Sequence, residues 1–170
     1  MIPVGQCVAS QEVGKLKCKN LIHVVGPNLC ESQAGFNQDK LLAFSMQHIL
    51  DMACDLELES ISIPAISCGK FGYPTRACAQ ILYESTIEYL RWHPETTLKN
   101  IRFVNRNPLS TEVFYQEFTR TFQEWWKKNK KTVNFPRWIM TIYMLECKTS
   151  DCDITINTIV NLKIIKNLKI

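Results

Sequence analysis

The stretch Ile63-Pro64-Ala65-Ile66-Ser67-Cys68-Gly69-Lys70-Phe71-Gly72-Tyr73-Pro74 decides the fold. It continues a β-branched run, and Ile61 to Ile66 reads as a buried strand that ends at Ser67-Cys68-Gly69. Pro74 stands just inside the helix that follows. Small residues and glycines let the backbone come close to a ligand, and unpaired N–H groups near a helix start supply a fixed positive potential. Ser67 adds a hydroxyl donor and Lys70 a charge. At the carboxyl end of a parallel strand, such a loop stands where open α/β sheets place their ligands. Composition alone describes an ordinary strand-to-helix turn at least as well, its glycines serving only backbone geometry.

Upstream, Leu21-Ile22-His23-Val24-Val25 is a second buried strand, closed by Gly26-Pro27. Between the two strands Leu41, Leu42, Ser45, Met46, Ile49 and Met52 recur at spacings of three and four, which predicts a helix from about Asn37 to Asp39 onward. This is a β-α-β pattern, and it repeats downstream. Ala77, Ile81, Leu82, Ser85 and Tyr89 give a second helix, Ile101 to Val104 a third strand, and a third helix starts near Ser110. Phe114, Phe118, Phe122 and Trp125 line one side of that last helix and read as core, not as a platform for stacking bases. Alternation of this kind predicts an α/β fold in three layers with a largely parallel sheet and right-handed crossovers.

With 170 residues, 46% apolar and 21% charged, the chain suits one globular domain. A net charge of +4 is too small for a protein that lives on duplex phosphates, so nucleic acid is not expected and a single anionic ligand fits better. No run approaches the roughly 20 apolar residues of a membrane span, and Met1 to Gln6 lacks a basic segment leading into an apolar one, so neither membrane insertion nor secretion is expected. The eight cysteines then read as reduced thiols of the nucleus or cytoplasm, with Cys7, Cys18, Cys54 and Cys78 behaving as small hydrophobes. Cys147 and Cys152 have no further thiol pair or histidine nearby to complete a zinc site, and no metal or cofactor is expected. His23, inside an apolar strand, reads as a hydrogen-bonded core histidine without a catalytic role. The basic cluster Lys127-Lys128-Asn129-Lys130-Lys131 reads as a solvated helix end, and residues 129–170 as a tail outside a domain spanning 1–128.

The string Ser67-Cys68-Gly69-Lys70-Phe71-Gly72-Tyr73-Pro74 resembles the macrodomain signature of Ser, a Ser/Thr/Cys-like residue, Gly, any residue, aromatic, Gly, any residue, Pro. Leu16 to Pro27, with Ile22-His23-Val24-Val25-Gly26-Pro27 at its end, looks like the strand that precedes the family's middle helix. The closest look is to macrodomains of vertebrate poly(ADP-ribose) polymerase-like proteins of the B-aggressive-lymphoma type, over about Val4 to Trp125. The resemblance implies a three-layer α/β/α macrodomain with a mixed, largely parallel sheet. By it, the backbone of Ser67, Cys68, Gly69, Lys70, Phe71 and Gly72 wraps the diphosphate and distal ribose of ADP-ribose, and the Phe71 ring lines the ribose pocket. Asn105, just past the third strand, takes the adenine side.

Measured against the same family, the sequence lacks an adenine-anchoring Asp, an Asn-Ala-Ala-Asn-like strand end and a Gly-rich covering loop ahead of Met1. The expectation is therefore an N-terminally shortened macrodomain, without its first strands and helix. It would be a binding module for ADP-ribose or for mono- or poly-ADP-ribosylated proteins, weakened to roughly millimolar affinity, and not an enzyme. Two alternatives stay beside it: a non-binding regulatory or interaction remnant, and an ADP-ribosyl hydrolase.

Overall fold

The computed structural model describes residues 2–11, 14–31, 37–129 and 141–146. Its strands are β1 (Cys7–Ser10), β2 (Leu21–Val24), β3 (Ser60–Ile63), β4 (Asn100–Asn105) and β5 (Thr141–Glu146), and its long helices are α1 (Gln38–Asp55), α2 (Thr75–Trp92) and α3 (Pro108–Asn129). A short 3-10 turn, Leu29–Glu31, follows β2.

Helix starts follow the local chemistry. Asn37 caps α1 by accepting a hydrogen bond from the Lys40 amide at 3.0 Å, and Asp39 places a negative charge in the first turn. The stripe expected on this helix is its buried face, with Leu42, Ser45, Met46 and Ile49 all below 5% exposure. Pro74 caps α2 without a side-chain hydrogen bond, so it lies one residue outside the helix and not just inside it. The third helix begins two residues before Ser110, where the Asn107 side chain accepts from the Leu109 amide. Phe114 and Phe118 are fully buried, and Phe122 and Trp125 pack against the core at its margin.

The strands depart more from expectation. β3 and β4 pair in parallel, Ser60 opposite Asn100 through Ile63 opposite Phe103, so the second β-α-β unit forms as expected. The first does not close: β2 pairs antiparallel with β1, Cys7 opposite Val24, and lies in a separate two-stranded sheet. With one hydrogen-bonded neighbour each among the described residues, β2 and β3 are only half-buried, and neither is the buried strand expected from its β-branched residues. The strand at Cys7–Ser10 was not foreseen, being short and of mixed polarity. β4 alternates strictly, and Ile101, Phe103 and Asn105 share its buried face. Phe103 meets Phe118 edge to face at 4.8 Å between ring centres, and Tyr83 reaches Phe118 at 4.5 Å, which joins β4, α2 and α3 in one core.

The division at residue 128 also changes. Thr141–Glu146 forms β5, parallel to β4 in register from Asn100 opposite Thr141 to Asn105 opposite Glu146, whereas the sequence reading put residues 129–170 outside the domain. The physical reason is the far edge of β4, whose backbone N–H and C=O groups need a partner wherever they are not open to water. Cys147, Cys152 and the closing stretch lie outside the described residues.

Candidate functional site

The carboxyl end of β3 runs through Pro64 and Ala65 into a tight loop. Ser67 adopts φ 63°, and the loop closes through Cys68 N–H to Ala65 C=O at 3.3 Å, Gly72 N–H to Gly69 C=O at 3.0 Å and Tyr73 N–H to Ser67 C=O at 3.0 Å. Gly72, with φ 69°, occupies a conformation that side chains resist. These bonds consume the amides at both ends of the loop and leave its middle open. Among the described residues, the N–H groups of Gly69, Lys70 and Phe71 donate to nothing. A Cβ placed on Gly69 meets no atom within 4 Å, so the space beside this residue is open.

Three successive amides without a partner, next to a helix N-terminus, offer donors to an anion. The first N–H groups of α2 lie just beyond, and Pro74 has no side chain able to satisfy them. Lys70 is exposed and contributes charge without holding the loop together, while Phe71 is half-buried at its edge.

Neighbouring elements hold the loop from both sides. Leu29 N–H donates to the Phe71 carbonyl at 3.0 Å, and the Cys30 thiol points to the Lys70 carbonyl at 3.7 Å. Gly26, at the end of β2, lies flat against Ile66 and Ser67. Below the loop Tyr73 is buried and donates its hydroxyl to Asp39, and burial, with that carboxylate second, pushes its pKa well above the ordinary phenol value. Cys68 and Cys78 both donate to the Ile66 carbonyl, at 3.5 and 3.3 Å. A hydrogen bond from Cys78, opposed by burial and aided by the Thr75 hydroxyl, lowers the pKa of Cys68. The bond to Cys68 and burial raise that of Cys78.

Ser67 to Gly72 are thus brought together on one loop. The Ser67 hydroxyl, however, is turned inward and buried without a partner, so it is not presented as a surface donor. Asn105 is the last residue of β4 and not a residue past its end. It is 4% exposed on the face shared with Phe103, and its amide nitrogen has no partner. His23 is exposed, not core, and its Nε2 lies 3.1 Å from the Ser10 hydroxyl. Of the thiols expected to act as small hydrophobes only Cys78 is buried; Cys18 is exposed, and Cys7 and Cys54 are intermediate. Sequence reasoning missed Gly26, Cys30 and Asp39 as parts of the loop's support, because their contacts cross from separate elements and leave no local pattern. A cavity of about 410 Å³ between α1 and α2 is lined by Asp39, Lys40, Gln80, Glu84 and Glu88 among others, and by no residue of the loop.

Residues 1–82 match the family model described as Macro domain. The chain is 30% identical over 122 residues to a macro domain-containing protein of Caldanaerobacter subterraneus, covering 72% of this chain and 64% of that one. It superimposes on the Oceanobacillus iheyensis macrodomain solved with ADP at a TM-score of 0.64 and 25% identity, covering 72% of this chain and 62% of the other.

The described residues have the macrodomain fold.

It is the three-layer α/β/α fold of that family, as expected. The chain spans about half the length or less of the first curated relatives it matches, between 19% and 49%. One of these is the O-acetyl-ADP-ribose deacetylase of Cronobacter sakazakii, 38% identical over 93 residues, which cover 55% of this chain and 49% of that enzyme. That finding corrects the expectation that a chain of this kind is not an enzyme: macrodomain relatives of this sequence include proteins named for a catalytic activity. The curated relatives named above are bacterial, and the likeness to vertebrate transferase-like macrodomains does not follow from them.

Proposed function

We propose that this macrodomain binds ADP-ribose, free or carried on a mono- or poly-ADP-ribosylated protein, through the loop from Ser67 to Gly72. The observation that carries the reading is the run of unused N–H groups at Gly69, Lys70 and Phe71 beside the uncapped start of α2. A diphosphate supplies two adjacent anionic groups, which is what such a run of donors satisfies. The Phe71 ring at the loop's edge then borders the distal ribose. On this reading Asn105 stands on the adenine side at the end of β4 but, 4% exposed, does not present its amide to a surface ligand.

Hydrogen bonds to a charged group contribute about 1.5 to 3 kcal/mol each, and association costs roughly 4 kcal/mol or more. Three such donors leave at most about 5 kcal/mol, so the dissociation constant is about a millimolar or weaker. Calorimetry with ADP-ribose, ADP and adenosine tests the assignment. ADP-ribose and ADP bind, and adenosine, without phosphate, does not; equal binding of adenosine overturns the phosphate loop as the site.

A second reading is hydrolysis of O-acetyl-ADP-ribose, favoured by two relatives, 38% and 37% identical, that are named O-acetyl-ADP-ribose deacetylase. Acetate release from that ester measures it directly. The vertebrate kinship rests on the motifs at Leu16–Pro27 and Ser67–Pro74, and nuclear or cytoplasmic residence on the reading of the cysteines as reduced thiols.

A further inference from the structure

The phosphate loop carries a thiol pair that anion binding does not use. Cys68 is half-buried in the loop, and Cys78 is fully buried as the fourth residue of α2. Both sulfurs aim at one acceptor, the Ile66 carbonyl, at 3.5 and 3.3 Å, which gathers the two thiols at one point beneath the loop. We propose that Cys68 is a site of oxidation by hydroperoxides and that Cys78 resolves the product into an intramolecular disulfide.

The asymmetry of the pair assigns the roles. Cys68 is half-buried where Cys78 is fully buried, so it is the thiol a peroxide meets first, and the neighbouring Cys78 thiol, then the Thr75 hydroxyl, lower its pKa against burial, which favours the thiolate that attacks peroxides. No acidic residue lies in the first turn of α2, and the helix N-terminus adds positive potential. Cys78 has no route to solvent of its own and stays protonated beside its partner.

In the first step the Cys68 thiolate attacks the terminal oxygen of the hydroperoxide. The O–O bond breaks, the sulfur is oxidised by two electrons to a sulfenic acid, and the departing oxygen takes up a proton as water or alcohol. In the second, the Cys78 sulfur attacks the Cys68 sulfur. The S–S bond forms as the S–O bond breaks, and the Cys78 proton leaves with the hydroxide as water. The peroxide is the only oxidant required, and the chemistry does not depend on whether the loop holds a diphosphate.

The test is peptide mapping of the full chain after treatment with one equivalent of hydrogen peroxide, without reduction. Trypsin separates Cys30, Cys68 and Cys78 into three peptides, and a Cys54→Ser variant removes the other thiol that shares the Cys68 peptide. The expected product is a Cys68–Cys78 link in the parent and in Cys54→Ser. Cys78→Ala is expected to accumulate a dimedone-trapped sulfenic acid at Cys68. A link from Cys68 to Cys30, or first trapping at any other thiol, overturns the assignment. Because mapping of the parent chain is decisive by itself, a Cys78 variant that fails to fold does not blunt the test.

Discussion

Gly26 lies against Ser67 so closely that a Cβ at Gly26 would collide with the Ser67 hydroxyl and stand 2.6 Å from the Ile66 side chain. The end of β2 is therefore pressed onto the start of the phosphate loop, although no backbone pairing joins β2 to β3. Gly26→Ala forces one of the two backbones to move, and overpacking of this kind costs about 1–3 kcal/mol. Thermal unfolding is expected to shift down accordingly, with ADP-ribose binding weakened further than stability. An unshifted melting temperature would show that the two segments are not in contact.

Gly69 presents the opposite case, because a Cβ there meets nothing within 4 Å and its backbone lies outside the left-handed region. Gly69→Ala should leave stability within about 0.5 kcal/mol of the parent. Gly69→Glu puts a carboxylate over the free amides and is expected to abolish ADP-ribose binding at an unchanged melting temperature. Retained binding in calorimetry would move the ligand away from this loop.

Glu117 is 1% exposed and accepts from both Arg76 and Arg120, whose side chains are 64% and 42% exposed. Replacing both arginines with alanine strands a carboxylate between α2 and α3, at a cost of about 3 kcal/mol, the lower end of the range because water reaches the site from the arginine side. Adding Glu117→Gln to that double variant should recover most of the loss in denaturant unfolding. No recovery would show that packing, not charge, is at stake.

Tyr73, Tyr83 and Tyr89 are 3%, 1% and 5% exposed, and burial raises all three pKa values above the ordinary phenol value near 10. For a raised acid the folded state holds its proton longer than the unfolded one. Stability is therefore intact below pH 10 and falls as pH climbs above it, by up to about 1.4 kcal/mol per tyrosine per pH unit. Phenolate absorbance and loss of helical signal should rise together in an alkaline titration. Tyr83→Phe is expected to move that transition to higher pH; phenolate formation by these three well before unfolding would contradict it.

The loop and its setting were legible locally. Ser67 to Pro74 follow a β-branched run and precede an apolar helical stripe, and each of those signals lies within a few residues of the next. Asn37 as the cap of α1 and the Phe114–Phe118 stripe of α3 are equally local, since capping and helical period act over one or two turns. Which strands pair is not local: Leu21–Val24 and Ser60–Ile63 look alike as short β-branched runs, yet one joins Cys7–Ser10 and the other Asn100–Asn105. Pairing depends on which backbone edge the helices bring alongside, and no residue type records that. The same holds for Gly26 against Ser67, Cys30 on the Lys70 carbonyl, and Cys68 beside Cys78. The sequence by itself determined the α/β class, the helix faces and the chemistry of the loop, whereas tertiary packing alone decided which amides stay free and which thiols meet, because those contacts form between groups ten to forty residues apart.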